Sequence, residues 1–184
     1  EQYQPPVVFY CGPGWEQWGP AQIDGKGLGG SETAAVRLAE ALVRRGLRVM
    51  VYAEAEGTWN GVNYRKFDKW NPQAPVWQFV AWRQPAIFDQ QINADHKVLW
   101  MHDVDAGELL TEERAKKIDT VWCLSRFHRS HLLQKYPFLA ESQMAVVGNG
   151  IEPARFDGEY ERDNAAIYSS SPDRGLEQVL SYWP

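Results

Sequence analysis

Three glycines fall within the six residues Gly27 to Glu32, directly before a helical pattern. Glycines in that place let backbone N–H groups approach an anion closely, and the dipole of the following helix adds to the attraction. The stretch therefore reads as a phosphate cradle, with turn-shaping as the plainer use of the same residues. Gly25, Gly27 and Gly30 also satisfy G-x-G-x-x-G, and the acidic Glu54 closes the next apolar run. In a dinucleotide site, however, the glycines follow the first strand directly. Here that strand ends near Gly12 and a long loop intervenes, which leaves a NAD(P)- or flavin-dependent oxidoreductase as the second reading. G-x-x-x-x-G-K-[ST] is absent from the sequence, so a P-loop is excluded.

Other chemistry-bearing residues close apolar runs or sit in loops. His102 and Asp103 end KVLWMHD, where Asp103 fits a base or a solubilising loop residue. Arg126 follows Ser125 at a helix start and could bind an anion or pair with a carboxylate. Asn149 follows the last apolar run, and Trp15 and Trp18 lie in the Gly- and Pro-rich loop from Pro13 to Lys26, available for stacking on an acceptor. His128 and His131 stand three apart on a predicted helix, but without a third ligand nearby a packing or surface role suits them better than a metal.

The elements that must position these groups alternate. Val7–Gly12 is a short apolar run closed by Gly and Pro, hence a buried strand. A helix follows the glycines: Ala35, Leu38, Ala39 and Leu42 share one face, Arg37, Glu40 and Arg44 the other. Ser31 is the expected N-cap and Gly46 the C-terminal stop. Further strands are expected at 48–54, 61–67, 76–82, 97–103, 120–125 and 144–150, with helices near 86–93, after Thr111, and from Arg126 to Tyr136. Such alternation predicts an α/β, Rossmann-like doubly wound parallel sheet. Ligands of such sheets bind beyond the carboxyl ends of the strands, so Gly12, Glu54, Trp82 with Arg83, His102 with Asp103, Ser125 with Arg126, and Asn149 with Gly150 should ring one crevice. After Gly150 a charged, turn-rich stretch gives way to a new strand and helix.

Composition narrows the function classes. Nineteen Lys and Arg against 24 Asp and Glu leave a formal charge of −5, which argues against a nucleic-acid partner. No apolar run approaches a membrane span. Two cysteines, Cys11 and Cys123, lie in apolar runs without metal-ligand spacing, as suits a reduced cytoplasmic setting, although a single disulfide between them stays open. Nine Trp are many for 184 residues; packing is the ordinary use and sugar-stacking the functional one.

Five segments in order, GLGGSE, WMHD, LSRFHRSHLL, VVGNGIEPARF and SSSPDRGLE, resemble retaining glycosyltransferases of family 4, the group 1 type. The resemblance spans Val7 to the end. It implies a GT-B architecture in which residues 1–150 are the N-terminal, acceptor-side domain, 151–164 a linker, and 165–184 the first strand and helix of a nucleotide-sugar domain. It further implies metal-independent hexosyl transfer, with retention, from a nucleotide sugar to a glycan, lipid or small-molecule acceptor. No cofactor is implied beyond the donor. By the same resemblance Gly29 and Gly30 face the donor diphosphate, and His102 lies beside the donor sugar near the reacting centre. Arg174 grips phosphate from a Lys-Gly position, although Ser169 or Ser170 stands where that family carries an Arg. The enzyme would be cytoplasmic, with peripheral membrane attachment compatible, and this stretch alone is expected to be inactive. Ile167, Leu176, Val179, Leu180 and Trp183 would need cover from the first domain or from a second copy of the chain. A non-catalytic Rossmann-like binding module remains the third reading.

Overall fold

The structure is a computed structural model describing residues 5–14, 18–23, 27–155, 157–159, 161 and 163–183. The chain divides into two compact units, residues 1–150 and 151–184.

The first unit is built on one eight-stranded sheet in the order β3-β4-β2-β1-β5-β6-β7-β8. Its strands are β1 (Val7–Tyr10), β2 (Val49–Ala53), β3 (Gly57–Trp59), β4 (Val62–Lys66), β5 (Val76–Trp82), β6 (Ala94–Trp100), β7 (Thr120–Cys123) and β8 (Met144–Val146). All pairings are parallel except that of β3 with β4. Because successive side chains point to opposite faces, the apolar strands feed two cores. Val7, Phe9, Val51, Val80, Trp82, Val98 and Trp100 pack under helix α1 (Gly30–Arg44), while Val8, Phe79, Ala81, Leu99, Val121 and Cys123 pack on the opposite side with Leu132 of helix α3 (Arg126–Lys135). Cys11 and Cys123 are both buried and free. The chain leaves β1 for β2 on one side and later returns to β5 on the other, so the strand order reverses between β1 and β5. This is the Rossmann-like α/β arrangement, and its ligand crevice is expected at that reversal.

Local chemistry explains most element ends. Thr111 caps the short helix α2 (Glu112–Ala115) by accepting from the Arg114 N–H at 3.3 Å, and Ser125 caps α3 by accepting from His128 N–H at 3.0 Å. Four expectations need correction or extension. The helix expected at 86–93 is a 3-10 turn, Pro85–Asp89, followed by extended chain into β6; burying Ile87, Phe88 and Ile92 outweighs the gain from so short an α-helix. The strand expected at 61–67 forms as β4, and it is also the second arm of a hairpin whose Asn60-Gly61 corner has φ of 48° and 80°, the signature of a type I′ turn. Glu40, placed by periodicity on the polar face of α1, is 2% exposed.

The fourth concerns the second unit, where the strand expected after Ala165 does not form among the described residues. A strand needs a neighbouring edge for its ladder, and no described residue of this unit supplies one. The unit contains 3-10 turns at Pro153–Arg155 and Pro172–Arg174 and a helix α4, Leu176–Tyr182, entered through Gly175 at φ +106°. Ile167, Val179, Leu180 and Trp183 are exposed and Leu176 is half-buried. No helix among the described residues is long and apolar enough to cross a membrane.

Candidate functional site at the carboxyl ends of β1, β5 and β6

The glycine loop delivers α1 to this edge of the sheet. Gly29 is its N-cap, so the helix opens two residues earlier than a Ser31 cap would have it, and Ser31 lies within the first turn. Glu32, the third helical residue, lays its carboxylate against Gly29, and a Cβ on Gly29 would collide with it. Gly30 is different. Its φ is not positive and nothing lies within 4 Å of where its Cβ would be. Alanine there would favour the helix by about 1 kcal/mol, so the protein's own packing does not call for glycine. The open side of Gly30 is room for something else.

Arg83 ties that helix start to the neighbouring strand ends. It follows β5 with φ +61°, a left-handed conformation costing a non-glycine residue roughly 1–3 kcal/mol. From there Nε and Nη2 donate to both carboxylate oxygens of Asp103, at 2.7 and 2.8 Å. Nη1 lies 3.6 Å from Glu32, and the guanidinium sits 5.1 Å over the Trp82 ring. Such a fork matches a carboxylate two bonds at a time, which fixes both partners. Gly12, after β1, also turns left-handed at φ +64°, with the Gln84 side chain filling the place of its missing Cβ. Both strands flanking the reversal thus end in a positive-φ residue.

Beneath this network lies a row of indoles. Register places Trp82 beside Trp100 and Trp100 beside Trp122, on three successive strands. Trp18 packs on Trp82 with ring centres 5.6 Å apart. His102 continues the alternation of β6 one step past Trp100 and rests on this floor, its ring 4.5 Å from Trp100 and 5.9 Å from Trp82. Burial, then the nearby Arg83 cation, push its pKa down to about 4 against the opposing pull of Asp103. The imidazole is therefore neutral at physiological pH. Its Nε2 is buried with no partner among the described residues, as are the indole N–H groups of Trp82 and Trp100. Unpartnered buried polar atoms cost roughly 1–3 kcal/mol each, and those of Trp82, Trp100 and His102 lie together at this strand end.

Of the residues singled out in the sequence, Gly29, Gly30, His102 and Asp103 meet here, linked through Glu32 and Arg83. Asp103 is held by Arg83 in a charge pair. Arg126 and Asn149 are exposed beyond β7 and β8, nearer the sheet edge. Trp18 is 7% exposed and serves as a wall against Trp82, which corrects its reading as an open stacking platform; Trp15 lies outside the described residues. Arg174 belongs to the second unit. His128 accepts from the Leu124 N–H at Nδ1, 3.2 Å, and is buried, a packing role that also caps its own helix start; His131 stacks on Phe127 and lies 3.8 Å from Asp105. Among the described residues no group of three His, Cys, Asp or Glu is arranged to hold a metal ion. Arg83 was legible only as a strand end: no glycine or turn signal marks its left-handed backbone, and its partners lie 20 and 51 residues away.

No protein-family model matches the chain, and no curated protein matches it. Among solved structures it is similar to a glycosyltransferase from Rickettsia africae ESF-5, with a TM-score of 0.53 and 15% sequence identity over 98% of this chain and 50% of that one. The chain thus spans about half the length of this neighbour. The likeness shows the fold, a glycosyltransferase-like Rossmann arrangement.

Proposed function

We propose that residues 1–150 are the acceptor-side domain of a GT-B, family 4-like glycosyltransferase. It moves a hexosyl group from a nucleotide sugar to an acceptor with retention and without a metal. The observation that carries this reading is the Glu32–Arg83–Asp103 network, which brings the open glycine loop and the neutral His102 to one strand edge. In this reading the backbone N–H groups at Gly29 and Gly30 face the donor diphosphate, where they stabilise charge that grows as the glycosidic bond breaks. His102 offers its unpartnered Nε2 to the donor sugar beside the reacting carbon.

The network holds one cation against two carboxylates, so it is not itself a phosphate grip. The missing positive charge is assigned to a nucleotide-sugar domain that opens at residues 165–184, with Arg174 as its first contact and residues 151–164 as the linker. That domain would also cover Ile167, Val179, Leu180 and Trp183; without it, self-association of the chain is the alternative cover. Asp103, Arg126, Asn149 and Trp15 are assigned to the acceptor side of the cleft, and the enzyme to the cytoplasm. The acceptor is a glycan, a lipid or a small molecule.

The test is turnover of UDP-, GDP- and ADP-sugars by the protein that contains this chain, with Gly30→Val as the probe. Filling the open side of Gly30 is expected to lower kcat/KM by about 100-fold or more while stability changes by less than about 1 kcal/mol. Unchanged kinetics would remove the phosphate role from the loop.

A further inference from the structure

A concavity opens past the end of β2, apart from the His102 site. It encloses about 210 Å³ and is walled by Trp18, Gln22, Glu54, Glu56 and Trp59 among others. Its walls are held from behind. Trp59 is braced edge-on against Tyr64 at 5.7 Å, and Gly57, at φ +128°, leaves room for the indole where a Cβ would clash. Gly19 brings the loop so close to β2 that a Cβ there would meet the Ala55 methyl at 2.9 Å. Trp18 is anchored on Trp82. A hollow whose walls are already fixed loses little freedom when it binds.

We infer that this hollow is a sugar subsite: it takes one pyranose ring of a glycan acceptor, and not the ring that reacts. The inference rests on the glycosyltransferase reading above. A pyranose offers a C–H face to an indole and hydroxyl donors to carboxylate and amide oxygens, and this wall supplies one half-buried indole, two carboxylates and a glutamine. None of its described lining residues is cationic, so it does not suit a phosphate. A cage for a quaternary ammonium needs several open aromatic faces, whereas Trp18 is 7% exposed and only Trp59 remains as a platform. Nor does it suit the adenosine end of a dinucleotide, because the Trp18–Gln22 segment stands against Glu54 on the ground that the adenosine would occupy. From β2 to β6 the sheet steps through β1 and β5, three spacings or about 14 Å. That exceeds one ring, so with His102 at the reacting ring the hollow holds a neighbour further along the glycan.

The experiment is saturation-transfer NMR on this chain with a panel of methyl glycosides of hexoses and 2-amino-hexoses and their disaccharides, with choline and NAD as controls. Glu54→Gln keeps the shape of the wall, and Trp59→Ala removes the platform. The inference predicts saturable binding of at least one glycoside, weakened about tenfold or more by either variant, and unaffected by Gly30→Val. It falls if no glycoside binds, if Glu54→Gln and Trp59→Ala both bind as tightly as the parent chain, or if choline or NAD binds through Glu54 in place of sugars. Nucleotide-sugar turnover that fails while Glu54-dependent glycoside binding holds refutes the glycosyltransferase reading alone. Turnover with no glycoside binding refutes only the subsite.

Discussion

Glu40, buried, and His102, half-buried, are polar groups packed on the α1 side of the sheet, and they are treated in opposite ways. Each carboxylate oxygen of Glu40 has a partner, Arg37 at 2.9 Å and Asn60 at 2.8 Å, so the charge ties the middle of α1 to the turn of the β3–β4 hairpin. His102 keeps a buried Nε2 with no partner among the described residues, against Trp82 and Trp100 whose N–H groups are likewise unpaired there, beside a strained arginine. A buried polar group that is fully satisfied is a structural joint. One left unsatisfied next to strained backbone marks a place where the fold has given up stability for a ligand.

Three experiments sharpen or break that contrast. The largest effect is expected at the joint: Glu40→Ala strands Asn60, takes one partner from Arg37 and should cost about 2 to 3 kcal/mol in urea denaturation, reduced from a fully buried pair because Arg37 is 30% exposed. Nucleotide-sugar and glycoside binding should be untouched; a variant as stable as the parent would show that Glu40 is not a joint.

Next comes the pH dependence of stability. His102 has a folded pKa of about 4 against an ordinary value of 6.5, so above pH 6.5 both folded and unfolded chains hold it neutral and it contributes no slope. Between 6.5 and about 4 the unfolded chain takes up the proton and the folded one does not, so stability falls with acid, by roughly 2 kcal/mol after allowance for partial exposure. His102→Gln should flatten that part of the stability profile, and an unaltered profile would mean that the imidazole is not desolvated by its indole floor.

The smallest effect is electrostatic. Arg83→Ala removes the second cause of the His102 depression and frees Asp103, so the His102 C2 proton should titrate at a pKa raised from about 4. It should stay below 6.5, since burial is the larger cause. A titration that does not move would dissolve the proposed coupling between the glycine loop and the histidine.

Much of this was legible in sequence, for local reasons. The near-continuous apolar runs VVFYCG and VWQFVAW mark strands buried on both faces, and Thr111 and Ser125 announce helix starts that their side chains do cap. Asn60-Gly61 between apolar residues was a readable hairpin signal, and it would have paired Trp59 with Val62. Glu40 was misread because helical periodicity reports which face a residue occupies and says nothing of a partner 20 positions on.

The residue order by itself determined an α/β chain with an open glycine run before its first helix and a histidine closing a buried strand, because period, caps and breakers act within a few residues. Only the tertiary structure decided that Trp82, Trp100 and Trp122 stand in one row, that Arg83 spans Glu32 and Asp103, and that Trp18 is a wall. Those relations depend on strand register and crossover, which bring together side chains tens of residues apart. The same register puts the half-buried histidine on its indole floor and so sets its charge.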